Sequence, residues 1–173
     1  MRFGQGANPA ARQSWTNSPM PEKHSRLALR REFTEGEYES IRRGLVPEQM
    51  EDKWFIFLEG DTLYFHRSWT GRCVFQLTLT RAGEKYAVSD VLVNRDAGQY
   101  GGTDDAYDER LLTYLIDNLL LGRRAMLPTP AGIAAGIQTE LYYHHVAGAQ
   151  QKGAETPGEG RKRGWLWRWL MRR

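Results

Sequence analysis

Cysteine occurs once in the 173 residues, at Cys73, so no internal disulfide can form. A lone cysteine of this kind reads as a buried thiol in a reducing compartment. No apolar run approaches the roughly 20 residues that cross a bilayer. The start, Met1-Arg2-Phe3-Gly4, carries no apolar stretch of the signal-peptide kind. Together these absences predict a cytoplasmic protein. Familiar chemical signatures are missing too: no G-x-x-x-x-G-K-[ST], no well-placed G-x-G-x-x-G, no H-E-x-x-H, no C-x-x-C and no G-x-S-x-G. His144 and His145 are adjacent, so on a helix they point about 100° apart and chelate poorly. No metal and no cofactor is expected.

What is present is a core with polar ends. Hydrophobic residues make up 40% of the chain, yet the mean hydropathy is −0.62. The length suits one domain plus tails. Charge is divided by region. Residues 1–32 hold six Lys/Arg and two acids, residues 161–173 hold six Lys/Arg and no acid, and residues 33–160 hold 12 basic and 19 acidic residues. The basic pI therefore belongs to the ends. An acidic body argues against nucleic acid lying across the folded domain, because phosphate binding needs a basic surface.

Four segments follow. Residues 1–31 are rich in Gly, Asn, Pro, Ser, Gln and Arg without a period and read as a disordered, basic N-terminal segment. Residues 32–146 read as an α+β domain, residues 147–160 as a Gly-rich linker, and residues 161–173 as a basic Trp/Arg-rich tail.

Within the domain, Thr34 and Glu37 fit a capping box, in which each side chain satisfies a backbone N–H at a helix start. Tyr38 and Ile41 share one face of that short helix, and Gly44 suits its stop. Pro47 to Glu51 fit a single further turn. The period then becomes two. Strands are predicted over Lys53–Glu59, Thr62–Ser68, Arg72–Thr80 and Tyr86–Asn94, the last bulged near Ser89-Asp90. Trp54, Ile56 and Leu58 alternate with Phe55 and Phe57, so both faces of the first strand should be covered. Cys73, Phe75, Leu77 and Leu79 should face inward. Short turns between the strands predict a four-stranded antiparallel meander. Tyr107, Leu111, Leu115 and Leu119, widened by Leu112, Ile116 and Leu120, mark a long helix that packs on it, capped by Thr103 or Asp104 and stopped by Gly122. A weaker helix is predicted over Ala131–His145.

Two polar clusters can carry function. In Tyr64-Phe65-His66-Arg67-Ser68-Trp69-Thr70-Gly71, Arg67 offers a fork of donors to a phosphate or carboxylate, Trp69 a stacking surface, and Ser68 and Thr70 hydroxyls. Asn94-Arg95-Asp96 with Tyr100 follows the fourth strand. A plain reading of both is a set of internal ion pairs within a sheet. The acids Asp104, Asp105, Asp108 and Glu109 suit the positive start of a helix without any metal. In the tail, Trp165, Trp167, Arg168, Trp169, Arg172 and Arg173 suit a membrane headgroup layer, a protein partner or the acidic body itself.

The runs Glu51-Asp52-Lys53-Trp54-Phe55-Ile56-Phe57, Leu63-Tyr64-Phe65-His66-Arg67-Ser68-Trp69-Thr70-Gly71 and Val93-Asn94-Arg95-Asp96 resemble those of a family of small uncharacterised bacterial proteins. The resemblance covers about residues 34–122 and leaves out both tails. It brings no established activity, so it implies no catalytic residue.

Three functional readings follow. The first is a non-catalytic binding domain in which Arg67, Trp69 and Arg95 surround an anionic, nucleotide-like ligand or an acidic protein partner. The second is an enzyme acting on a nucleotide or ADP-ribosyl group, with His66 as general acid/base, Asp96 as its orienting carboxylate or as the base, and Arg67 as phosphate clamp. The third is a peripheral membrane protein tethered by the tail.

Overall fold

The computed structural model describes residues 8–49 and 51–129. In chain order the elements are β1 (His24–Arg26), β2 (Glu32–Thr34), α1 (Glu35–Ile41), β3 (Trp54–Glu59), β4 (Thr62–Arg67), β5 (Cys73–Ala82), β6 (Lys85–Asn94) and α2 (Asp105–Leu115), which runs on into a π-helical turn, Ile116–Leu120. The architecture is α+β. Its antiparallel sheet runs β1-β6-β5-β4-β3, and β2 also pairs with β6.

Among the described residues the sheet has six strands where the sequence predicts four. The extra two, β1 and β2, lie along the outer edge of β6, where His24 faces Asn94 and Glu32 faces Ala87. Three-residue strands leave no alternation to read. Their pairing comes from backbone groups, which composition does not report. Residues 8–31 also depart from the expected disorder. Ala10 and Leu27 are buried, and the Ala10 N–H donates to the Arg43 carbonyl at 2.8 Å.

Strand β3 is covered on both faces. Trp54 and Ile56 join the main core with Phe65, Phe75, Leu77 and the α2 residues Leu111, Leu112 and Leu115. Phe55 and Phe57 form a second cluster with Ala10, flanked by Val46 and Tyr64. The period-two alternation of the strand accounts for this division. Two bulges re-aim side chains. Thr78 faces Asp90 but Leu79 faces Val88, so Ser89 is the extra residue of β6, near where the sequence places it. The other bulge is unheralded. Phe65 faces Phe75 while His66 faces Cys73, so Val74 is inserted in β5. Val74 takes a place in the main core, and Cys73 turns to the Phe55–His66 face instead of sharing one with Phe75, Leu77 and Leu79.

The capping box of α1 is formed: Thr34 Oγ1 accepts from the Glu37 N–H at 3.3 Å, and the Glu37 carboxylate accepts from the Thr34 N–H at 2.7 Å. Gly44 ends this region with φ 64°, and a Cβ there would lie 2.3 Å from the Ile56 carbonyl oxygen. That close approach lets Leu45 bridge to Ile56 along the free edge of β3. The turn predicted at Pro47–Glu51 includes Met50, which lies outside the described residues. The Asp52 carboxylate accepts from the Glu48 and Gln49 N–H groups at 2.9 and 3.2 Å. Asp104 caps α2, accepting from the Tyr107 N–H at 3.1 Å. The helix predicted at Ala131–His145, the linker and the Trp/Arg tail lie outside the described residues. No helix among the described residues is long and apolar enough to cross a membrane.

Candidate functional site

The antiparallel order brings the start of β3, the end of β4, the start of β5 and the end of β6 to one end of the sheet. Both sequence clusters meet there. The turn after β4 carries Ser68, Trp69, Thr70 and Gly71, and the loop after β6 carries Arg95 to Gly102. An Arg72 Nη1–H donates to the Gly98 carbonyl at 2.6 Å and ties the two together.

Most of the predicted β6-end residues are committed to holding this end of the fold. The Arg95 guanidinium donates to the Asp108 carboxylate at 2.6 Å, to Asp105, to the Gly102 carbonyl at 3.0 Å and to Ser25 Oγ at 3.1 Å. Burial opposes its charge, but Asp108 and Asp105 outweigh that and raise its pKa. The Tyr100 hydroxyl donates to the other Asp108 oxygen at 2.6 Å, and its ring meets Phe75 edge-on. Asp108 is fully buried, so this is an internal ion pair with all its neighbours engaged. Asn94, also fully buried, donates to the Cys73 carbonyl at 2.8 Å and accepts from the Asp96 N–H at 2.8 Å. Asp96 accepts from the Gly98 N–H at 2.9 Å and from Gln99 at 3.3 Å, an arrangement that shapes the loop. Arg95 therefore does not join Arg67 and Trp69 around a shared hollow as the sequence suggests. Glu109 accepts from the Ala28 N–H at 3.1 Å. The four acids at the start of α2 thus all have structural partners.

The proposed acid/base pair is not assembled. His66 is 1% exposed, stacked on Phe57 with 5.5 Å between ring centroids, and its Nε2 meets the Ser18 carbonyl at 3.1 Å. Its Nδ1 is buried with no hydrogen-bond partner, so Asp96 does not orient it. Burial depresses the imidazole pKa to about 4. Cys73, its cross-strand neighbour, is buried, and that burial pushes its thiol up to about 12. Neither group is poised for acid/base or nucleophilic work at neutral pH.

What reaches the surface is the turn after β4. Trp69 is 60% exposed. The Lys53 ammonium stands over its ring, 4.1 Å from the centroid. The Arg67 guanidinium stands 5.0 Å above the buried Trp54 ring. Burial, and after it the charge of Arg67, lower the Lys53 pKa. Thr70 is exposed and accepts from the Arg72 N–H at 3.3 Å. Ser68, by contrast, is buried, its hydroxyl donating to the Asp52 carbonyl.

An N-terminal strap clamps this turn from outside. The Ser18 N–H donates to the Gly71 carbonyl at 2.8 Å, and the Trp15 indole N–H donates to the Ser68 carbonyl at 2.7 Å. Gly71 has φ 68°, and a Cβ on it would lie 3.0 Å from the Thr16 carbonyl, so the strap lies directly against the turn. Further out, Arg12 pairs with Glu59 and stands over the Phe57 and Tyr64 rings at 5.4 and 5.3 Å. Sequence reasoning misses Lys53 and Trp15. An isolated Trp in a Ser/Asn/Pro-rich segment is the one available signal, since a free tail has little use for an indole.

No family model, curated protein or solved structure matches the chain.

Proposed function

We propose that this protein is a binding domain that recognises an anionic group through Lys53, Arg67 and Trp69 at the turn end of the sheet. One observation carries the reading: two cations and an exposed indole are grouped at one turn, with Lys53 stacked 4.1 Å above the Trp69 ring. Burial first, and then the Arg67 charge, lower the Lys53 pKa, while Glu51 and Asp52 act the other way. An anion bound at this turn would accept charge-assisted hydrogen bonds from the cations while the indole supplies a flat apolar contact. The non-catalytic character of the reading draws support from the sealed states of His66 and Cys73.

A thermal-shift panel of pyrophosphate, ADP and an NAD derivative tests it. A ligand at 100 times its Kd stabilises the fold by about 2.7 kcal/mol. The expected result is stabilisation by at least one anion, lost in folded Arg67→Ala and Lys53→Ala variants. Equal stabilisation of wild type and both variants would place any anion elsewhere.

A further inference from the structure

Strand alternation puts Phe55, Phe57, Tyr64 and His66 on the face of the sheet opposite the one that packs on α2. The strap, residues 8–18, lies over that face. Ala10 packs with Phe55 and Phe57, Arg12 stands over the Phe57 and Tyr64 rings, and the Ser18 carbonyl accepts from His66 Nε2–H at 3.1 Å. The strap is thinly anchored. Of residues 8–18, Ala10 alone is buried. The rest of its hold is polar: the Ala10 N–H on the Arg43 carbonyl, the Trp15 indole on the Ser68 carbonyl, the Ser18 N–H on the Gly71 carbonyl, and the half-exposed Arg12–Glu59 pair. A segment that buries so little of itself opens more easily than the sheet beneath it.

His66 joins the two layers. A carbonyl only accepts, so Nε2 carries the proton of the neutral ring, and Nδ1 is left bare, buried and without a partner. A second proton has to go on Nδ1, where it finds no acceptor and no solvent. The groups packed around the ring offer no counter-charge. From β3 come Phe55 and Phe57, from β4 Tyr64, and from β5 Cys73, whose thiol stays neutral because burial pushes its pKa up to about 12. Among the described residues, the charge that bears on the ring is that of Arg12 on the strap itself, and it is of the wrong sign for an imidazolium. The hydrogen bond to Ser18 favours the charged ring, but burial outweighs it.

We propose that His66 is an acid-operated latch: its protonation releases residues 8–18 from the sheet while the sheet itself stays folded. Lifting the strap uncovers the ring and carries Arg12 away from it. The released state takes up the proton at the ordinary imidazole value of 6.5, the seated state only at about 4. Release is therefore favoured as pH falls below 6.5, and the bias is complete near 4. It should be about thirtyfold more frequent at pH 5 than at pH 7.5. What it uncovers is the apolar pair Phe55 and Phe57, sealed at neutral pH. The latch stands independently of the anion-binding reading.

Amide exchange of the full chain at those two pH values, each in water and in dilute urea, tests the latch. Rates are expressed as protection relative to an unstructured amide, which removes the intrinsic effect of pH. The Ser18 amide reports the strap, and the β5 amides report unfolding of the whole sheet. Ser18 should be less protected than β5, should be insensitive to dilute urea, and should lose about thirtyfold in protection at the lower pH. His66→Gln keeps a donor for the Ser18 carbonyl but cannot titrate, so its Ser18 protection should be flat with pH. His66→Phe, which keeps a ring against Phe57, is a second non-titrating variant and should give the same flat profile. Exchange of Ser18 together with β5, with the same urea dependence, overturns the proposal, because release is then global unfolding. A wild-type Ser18 protection that does not change with pH overturns it as well. So does an undiminished fall in protection in either folded variant, which would assign the effect to another group.

Discussion

His66 should make the fold acid-sensitive well above the range in which carboxylates titrate. Its ring is 1% exposed, lies between the sheet and the strap, and has one nitrogen with no partner. A second N–H and a positive charge in that place lack both solvent and an acceptor, which is why its pKa falls from 6.5 to about 4. The unfolded chain, with its ordinary imidazole, takes up the proton first. Stability from this group is therefore constant above pH 6.5, falls as pH drops from there to about 4, and is flat below. Each pKa unit is worth 1.36 kcal/mol, so the full loss is about 3 kcal/mol. Glu37, whose pKa is lowered mainly by the Thr34 backbone N–H, contributes its own loss only below its ordinary value of 4.5. The window from 6.5 to 4.5 thus belongs to the imidazole. Urea unfolding of wild type and His66→Phe across that window is the assay. The variant keeps a ring against Phe57 but leaves the Ser18 carbonyl without its donor. It should be weaker throughout and should lose the pH slope. Equal slopes in the two proteins, or an imidazole C2–H titration in the folded protein centred near 6.5, would refute the reasoning.

Asp108→Ala should destabilise the fold by about 3–5 kcal/mol, because it leaves the Arg95 charge partly buried beside an orphaned Tyr100 hydroxyl. Asp105→Ala, at the 61% exposed end of the same network, should cost about 1 kcal/mol or less by chemical denaturation. Gly44→Ala must place a methyl 2.3 Å from the Ile56 oxygen at a left-handed φ, and should lower the melting temperature by more than an exposed glycine such as Gly60 would when replaced. Cys73 should resist a thiol reagent in the folded protein and react only as fast as the chain unfolds, since burial pushes its thiol pKa up to about 12.

Much of the fold was legible because its signals are local. The capping pair Thr34/Glu37, the double-sided alternation of β3 and the apolar spacing of α2 each name their element without help from distant contacts. What escaped notice depends on contacts far apart in sequence. Residues 24–26 become a strand only because β6 offers them an edge. Val74 becomes a bulge only because β4 holds His66 opposite Cys73. The candidate site shows the same division. Arg67 and Trp69 could be named from composition, but not the fate of Arg95, which an acid 13 residues away decides. Nor could Lys53 be chosen over other lysines before the turn placed Trp69 beneath it.

The indole N–H resonance of Trp69 tests most directly the proposal that Lys53, Arg67 and Trp69 act together on an anion. Pyrophosphate titrated into the labelled full chain should shift that signal and the amides of residues 67–72, with the response abolished in Lys53→Ala. A Trp69 signal that stays still at saturating anion, or one that moves equally in the variant, would contradict it.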